Sequence, residues 1–488
     1  MKKIQRFSYQ SAGELVAALA NKHISSVQLL DETISRIEIE DKKINAVTTR
    51  DFVRARAAAI AADAAIARGE RKTLLGLPMT VKESFNIAGL TTSWGSHQFK
   101  DWRPDSDSLV ISRLKSAGAI IIGKTNVPCM LADYQTYNDI HGITNNPWNL
   151  DFTPGGSSGG SAAALAAGFV ALELGSDLAG SLRVPAHYCG VYAHKPSSDL
   201  IPLRGAGSPT TLPTTARVDL AVAGPMARTA KDLVIALGVL AGPDELSDGA
   251  GYTLSLPKAK HNKLQDYRVL ILDYHPLYPT EIAISKAIAN LAERLMNCGV
   301  NVSLKHSLIP NLAEIARNYS SLLSARMVAN MSSDSYLKME AEVKQLSKDD
   351  DSLAACYLRG GIMNHRDWLL ATKMRDQLRM QWKKLYNEFD VVICPVMPTV
   401  AFPHNHSPDQ ETRRFFIDGV QVPYSHQYIW ACIATLFGLP ATAAPIDLTE
   451  NDLPIGIQII GDYLQDYTTI KFAELLESEW GRFPSPCF

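Results

Sequence analysis

Residues 153–190 read TPGGSSGGSAAALAAGFVALELGSDLAGSLRVPAHYCG, and the rest of the chain is organised around them. Two glycine-flanked serine clusters are joined by an Ala-rich segment that carries no charge until Glu173. Glycine and serine at this density allow tight turns and leave backbone N–H groups free for an anion or an oxyanion. The first cluster is open to three local readings. Gly155-Gly156-Ser157-Ser158-Gly159 fits the G-x-S-x-G nucleophile elbow, as does the frame centred on Ser158, but an elbow follows a strand and residues 145–154, rich in Asn and Pro, read as loop. A phosphate-binding loop has Gly155 and Gly160 at its spacing but Ser161 where lysine belongs. The third reading is a tight turn leading into a helix over 161–171.

The second cluster is Gly175-Ser176-Asp177-Leu178-Ala179-Gly180-Ser181-Leu182-Arg183. With Ser181 as a nucleophile, the N–H groups of Leu178, Ala179, Gly180 and Ser181 form a candidate oxyanion hole, a donor set worth on the order of 10²–10³ in rate. A serine hydroxyl needs a base. The nearest histidines, His187 and His194, are both available, and neither has an acidic partner nearby in sequence.

Outward from this stretch the rhythm is α/β. Ser11 and Glu14 form a capping box for a helix to about residue 21; helices follow over 26–40 and 51–68, the last stopping at Gly69. These three precede the first clear strand, over 77–82, where Leu77, Met79 and Val81 share a face. A helix over 108–116 and a strand over 119–122, ended by Gly123, come next; later come strand 268–272, helix 281–297, strand 301–304, helix 366–386 and strand 390–394. Such alternation predicts an α/β protein with a mostly parallel or mixed sheet. Residues 197–217 and 403–423 read as irregular loops, and 257–388 as a candidate helical or cap insertion with no linker at its ends. Phe402, Tyr424, Tyr428, Trp430 and Phe437 line a pocket or belong to the core, the commoner fate of such residues.

Composition bounds the function. The chain has 488 residues and a formal net charge of −2, with no long Lys/Arg run, so nucleic-acid binding has no electrostatic support. The seven cysteines are scattered and never in C-x-x-C spacing, which predicts neither a disulfide framework nor a zinc site and favours a reducing compartment. Polar residues after Met1-Lys2-Lys3 interrupt any signal-peptide core, and no 18-residue apolar window is present, so a cytoplasmic location and no membrane span are expected.

Three motifs then fall in order: Gly76-Leu77-Pro78-x-x-Val81-Lys82; Gly-Gly-Ser-Ser-Gly-Gly-Ser from Gly155; and Gly175-Ser176-Asp177-x-x-Gly180-Ser181-Leu182-Arg183-x-Pro185-Ala186, followed by Cys189-Gly190-Val191 and Lys195-Pro196. In order and in spacing they resemble the amidase signature family, strongly over about 74–196 and more weakly through 390–398, Gly438-Leu439-Pro440 and Pro454-Ile455-Gly456-x-Gln458. The resemblance implies a single large α/β domain over 1–488, its mixed, mostly parallel central sheet covered by helices on both faces, with 1–70 as an N-terminal helical layer and 74–196 as the signature core. It implies a Ser–Ser–Lys triad: Ser181 acylated, Ser157 bridging, with the Gly156–Ser157 peptide cis, and Lys82 as terminal base. Lys82 accepts a proton near neutral pH only if burial depresses its pKa well below about 10.4. The oxyanion would rest on the N–H groups of Leu178, Ala179, Gly180 and Ser181, with Asp177 and Arg183 fixing that loop. The implied activity is hydrolysis of a small-molecule carboxylic amide to a carboxylate plus ammonia or amine, with no metal or organic cofactor; a homodimer is allowed for.

The alternative is the glutaminase subunit of a tRNA-dependent amidotransferase, although residues 361–375 lack the paired tyrosines associated with that subfamily. The sequence departs from the family pattern at Leu178-Ala179 (commonly Thr-Gly), Ala193 (often Gly) and Glu83-Ser84 (often Asp-Asn). These touch the support and pocket rather than the triad. If the hole requires φ > 0 at 179, the Ala179 Cβ adds strain.

Overall fold

The computed structural model describes residues 7–488; residues 1–6, which include the start of the stretch searched for a signal-peptide core, lie outside the described residues. Eleven strands form one sheet. From edge to edge they run Val47–Arg50, Ile120–Thr125, Pro78–Lys82, Leu172–Asp177, Val222–Ala227, Tyr192–Lys195, Ala441–Leu448, Pro454–Ile460, Val391–Pro395, Arg268–Ile271 and Asn301–Ser303. The sheet is mixed, with four parallel strand pairs and six antiparallel ones among the described residues. Its parallel pairs lie in two blocks, one around Pro78–Lys82 and one around Arg268–Ile271. Antiparallel pairs fill the middle and close the first edge.

Because successive side chains in a strand point to opposite faces, an unbroken apolar run requires cover on both. Val269, Ile271, Val391 and Ile393 pack into one core with Ile284, Ile288 and Leu291 of helix Ile282–Asn297 and Phe472 of helix Asp466–Trp480. Their neighbours Leu270, Val392 and Cys394 point the other way, against Ile315 and Tyr319 of helix Leu312–Met327 and Trp382 of helix His365–Lys383. Each large side chain so buried contributes about 1.5–3 kcal/mol. Helices therefore cover both faces.

The N-terminal helices are Ala12–Ala20, Ser26–Ile44 and Phe52–Ala67. The capping box is made: the Glu14 N–H donates to Ser11 Oγ at 3.1 Å, and the Ser11 N–H to the Glu14 carboxylate at 2.7 Å. They do not all precede the first strand, because Val47–Arg50 intervenes and pairs with Ile120–Thr125. Its short polar sequence gives no alternation to read. Gly123 does not end its strand either; a Cβ there would lie 2.4 Å from the Thr49 carbonyl oxygen, so glycine is what admits the edge strand.

Three further expectations are corrected. The Ala-rich helix is Gly159–Ala166, and Leu172–Asp177 is a strand whose polar residues Glu173 and Asp177 are buried, which hides its pattern. The span 257–388 is not one insertion: Arg268–Ile271 and Asn301–Ser303 belong to the central sheet, and helices Leu312–Met327, Leu353–Gly361 and His365–Lys383 pack into the core on one face. The loop 403–423 contains the hairpin Arg414–Ile417 with Val420–Pro423, whose Phe415, Ile417 and Val422 reach the core.

Candidate active site

Lys82 ends the central strand Pro78–Lys82, whose two neighbours run parallel to it, and it is completely buried. Its Nζ donates to Ser157 Oγ at 2.7 Å and to Ser176 Oγ at 2.9 Å. Burial drives its pKa down to about 7, against the opposing pull of the Asp177 and Glu83 carboxylates. The amine is thus poised between its two protonation states near neutral pH.

Ser157 lies in the turn before helix Gly159–Ala166, and the Gly156–Ser157 peptide is cis. This turn is tightly enclosed: a Cβ on Gly156 would sit 2.3 Å from the Asp133 carbonyl oxygen. The Ser158 N–H donates to the Ser181 carbonyl at 3.2 Å and ties the two clusters together.

The second cluster is a loop between strand Leu172–Asp177 and helix Arg183–Cys189. Its backbone groups can be counted one by one. The Gly180 and Leu182 N–H groups donate to the Asp177 carboxylate at 2.9 and 3.1 Å. Among the described residues, the N–H groups of Leu178, Ala179 and Ser181 have no hydrogen-bond partner, and neither has the Ser181 hydroxyl, which is part-exposed. Of the four N–H groups read as an oxyanion hole, Gly180's is therefore already engaged and three are free. The positive φ of the loop, 102°, falls on Gly180 and not on Ala179, so alanine at 179 carries no left-handed strain.

Asp177 and Arg183 hold the loop from beneath. Arg183 donates Nε and Nη2 to the two Asp177 oxygens at 3.0 and 2.9 Å, with both side chains fully buried. Burial alone would push the Asp177 carboxyl up; the Arg183 guanidinium, Lys195 and the Gly180 N–H together outweigh it and hold the pKa at about 2. The remaining Arg183 donors reach Gln458 Oε1 at 2.7 Å, Thr435 Oγ1 at 2.8 Å and the Ala431 carbonyl at 2.9 Å. Two carboxyls on one strand thus differ in state, because Glu173 has no cation beside it: burial pushes it up to about 8, and Thr80, Ser161 and Thr125 bond to it instead.

The histidines are committed elsewhere. His187 accepts the Gly456 N–H at 2.6 Å and contacts the Thr399 carbonyl at 3.1 Å, while His194 bridges Thr442 and Asp466, each at 3.0 Å. Neither bonds a serine of the two clusters. Glu83 accepts from Trp94 N–H at 3.0 Å and from Ser93, holding a neighbouring loop. Of the aromatics, Tyr428, Trp430 and Phe437 are core, whereas Tyr424, buried, and Phe402, half-buried, also line a cavity with Glu281, Thr399 and Arg414. Sequence reading missed Ser176, although it stands inside a quoted motif, because nothing local tells which of the clustered serines faces Lys82. It also missed Tyr319, whose hydroxyl donates to the Leu178 carbonyl at 2.7 Å from far along the chain.

Among the described residues no helix is long and apolar enough to cross a membrane. A family model described as Amidase matches residues 28–470. The A-type subunit of glutamyl-tRNA(Gln) amidotransferase from Anaeromyxobacter sp. (strain K) is 32% identical over 519 residues, covering 99% of this chain and 98% of that protein. The protein of the same name from Saccharolobus solfataricus is 29% identical over 482 residues, covering 95% of each. A solved chain, described as part of a vestigial protein complex that reveals the origins of an s-triazine catabolic enzyme, superposes with a TM-score of 0.81 at 27% identity, covering 98% of this chain and 100% of that one. A bacterial aryl acylamidase of the amidase signature enzymes gives a TM-score of 0.80 at 24% identity over 97% of both chains, a likeness of fold. A family match over most of the length, a 32%-identical relative aligned along nearly all of it, and a buried lysine bonded to a serine of a glycine-rich turn lead to one conclusion: this chain belongs to the amidase signature family of enzymes.

Proposed function

We propose that this chain cleaves the C–N bond of a carboxylic amide through an ester on Ser181, with Ser157 and Lys82 moving the proton. The observation that carries the reading is the contact of 2.7 Å between Ser157 Oγ and the fully buried Lys82 Nζ. The neutral amine accepts the Ser157 proton as Ser157 takes that of Ser181, and the Ser181 oxygen attacks the amide carbon. The tetrahedral oxyanion is met by the free N–H groups of Leu178, Ala179 and Ser181, the relayed proton leaves on the departing nitrogen, and water hydrolyses the ester. Asp177 and Arg183 act by holding the donor loop in shape.

The curated relatives favour glutamine as the amide, hydrolysed by one component of a tRNA-dependent amidotransferase. One sequence observation favours a chain that acts alone on a small amide: residues 361–375 contain no tyrosine. Glutaminase activity that appears only with partner subunits and charged tRNA supports the first; turnover of simple amides by the purified chain supports the second.

The chemistry common to both is tested with a fluorophosphonate probe, which is expected to label Ser181 in the native chain and not in Ser181→Ala. Full activity of Lys82→Ala would sink the relay. Since the working base is the neutral amine, kcat/KM should be half-maximal near the Lys82 pKa of about 7, level off about one unit above it, and fall towards tenfold per unit about one unit below it.

A further inference from the structure

The free N–H groups of the 178–181 loop are useful only if they point where the oxyanion forms, and no regular element orients them. Asp177 fixes Gly180 and Leu182 from the sheet side. The Leu178–Ala179 peptide has a different anchor. The Tyr319 hydroxyl donates to the Leu178 carbonyl at 2.7 Å. A trans peptide is planar, with its C=O and N–H antiparallel, so fixing the Leu178 oxygen fixes the direction of the Ala179 N–H on the opposite side.

We infer that Tyr319 is a positioning residue for the oxyanion-binding loop, presenting the Ala179 N–H to the developing oxyanion by bonding the carbonyl of the same peptide. The inference rests on the acyl-transfer chemistry proposed above and extends it to the helical layer on the second face. Tyr319 belongs to helix Leu312–Met327, is fully buried, and sits edge-on to Tyr428 with ring centroids 5.0 Å apart. Tyr428 in turn donates to Ser320 Oγ at 2.8 Å, and Ser320 to the Leu353 carbonyl at 2.8 Å, which ties the helix to helix Leu353–Gly361. The phenol is thereby held by a packed layer rather than by a loop. Burial pushes its pKa well above the usual tyrosine range, so it remains a donor at any working pH. A side chain at the first position of Leu178-Ala179 packs on this same cluster, so the layer grips the peptide from both its side chain and its oxygen.

The test compares Tyr319→Phe with the native chain and with Tyr386→Phe, which deletes another buried hydroxyl of the same apolar cluster, one bonded to Trp382 Nε1 at 3.2 Å. The readouts are the second-order rate of fluorophosphonate labelling at Ser181, and kcat and KM on benzamide, hexanamide and L-glutamine. Deleting an oxyanion donor outright costs about 10²–10³ in rate; misaiming one should cost about tenfold to a hundredfold in kcat and in labelling, with KM within about twofold. The acid limb near pH 7 should not move, because Lys82 is untouched. Labelling and kcat of Tyr319→Phe within twofold of native overturn the inference. So does an equal loss in Tyr386→Phe, which would mark a general weakening of the core, or a displaced acid limb. If Tyr319→Phe does not fold, 3,5-difluorotyrosine at 319 keeps the ring and strengthens the donor, and an unchanged labelling rate then overturns the inference. A native chain that neither labels at Ser181 nor cleaves an amide fails the proposed chemistry and takes this inference with it; an active native chain with an equally active Tyr319→Phe fails the inference alone.

Discussion

The two glycine-serine clusters, 155–160 and 175–181, are alike in composition and opposite in packing. Every residue of the first is buried, its backbone pressed against the Asp133 carbonyl, and its Ser157 hydroxyl receives a hydrogen bond from Lys82. In the second, Ser176, Leu178, Ala179 and Ser181 are part-exposed, three N–H groups are unused, and order is imposed from below by Asp177 and Arg183. On the proposed chemistry the difference is a division of labour: a proton relay needs a dry, enclosed site that lowers the proton affinity of its amine, whereas a developing oxyanion needs open donors that do not have to reorganise. Small residues serve the first by letting backbones touch and the second by leaving N–H groups accessible.

That contrast can be broken most severely at its support. Arg183→Met would leave the Asp177 carboxylate buried without its partner; we expect a loss of about 3–5 kcal/mol in denaturant unfolding, together with loss of Ser181 labelling. A stable, active Arg183→Met would mean that the loop holds its own shape. Next in size is Gly156→Ala, which forces a methyl to 2.3 Å from the Asp133 oxygen in the enclosed cluster. About 1–3 kcal/mol of overpacking is expected by calorimetry, with a large fall in turnover as the Ser157–Lys82 contact is displaced. The smallest effect should come from Ala179→Gly in the open cluster. The left-handed residue there is Gly180, so removing the Ala179 methyl relieves no strain, and kcat should stay within about twofold while stability falls by about 0.5–1 kcal/mol. A strongly activated Ala179→Gly would contradict the backbone described here.

Much of the fold was legible because its signals are local. The Ser11–Glu14 capping box, the Met79/Val81 alternation before Lys82, and the helix over 282–297 are each written in a few neighbouring residues. What failed to show were elements whose stability comes from elsewhere. The edge strand Val47–Arg50 exists because Gly123 lets it dock, and Leu172–Asp177 hides its polar residues inside networks supplied by Thr80 and Arg183. His187 and His194 looked available only because Thr399, Gly456, Thr442 and Asp466 are distant in sequence.

The candidate site divides in the same way. Sequence by itself determined the chemical types and their order: a lysine at the end of an apolar strand, two serines in glycine-rich turns, and an Asp–Arg pair around the second. Only the tertiary structure decided that burial brings the Lys82 pKa to about 7, that Ser176 is its second partner, that Gly180's N–H is already engaged by Asp177, and that Tyr319 grips the Leu178 carbonyl. The physical reason is that proton affinity and hydrogen-bond availability depend on which atoms surround a group in space, and here those atoms come from strands and helices scattered across the whole chain.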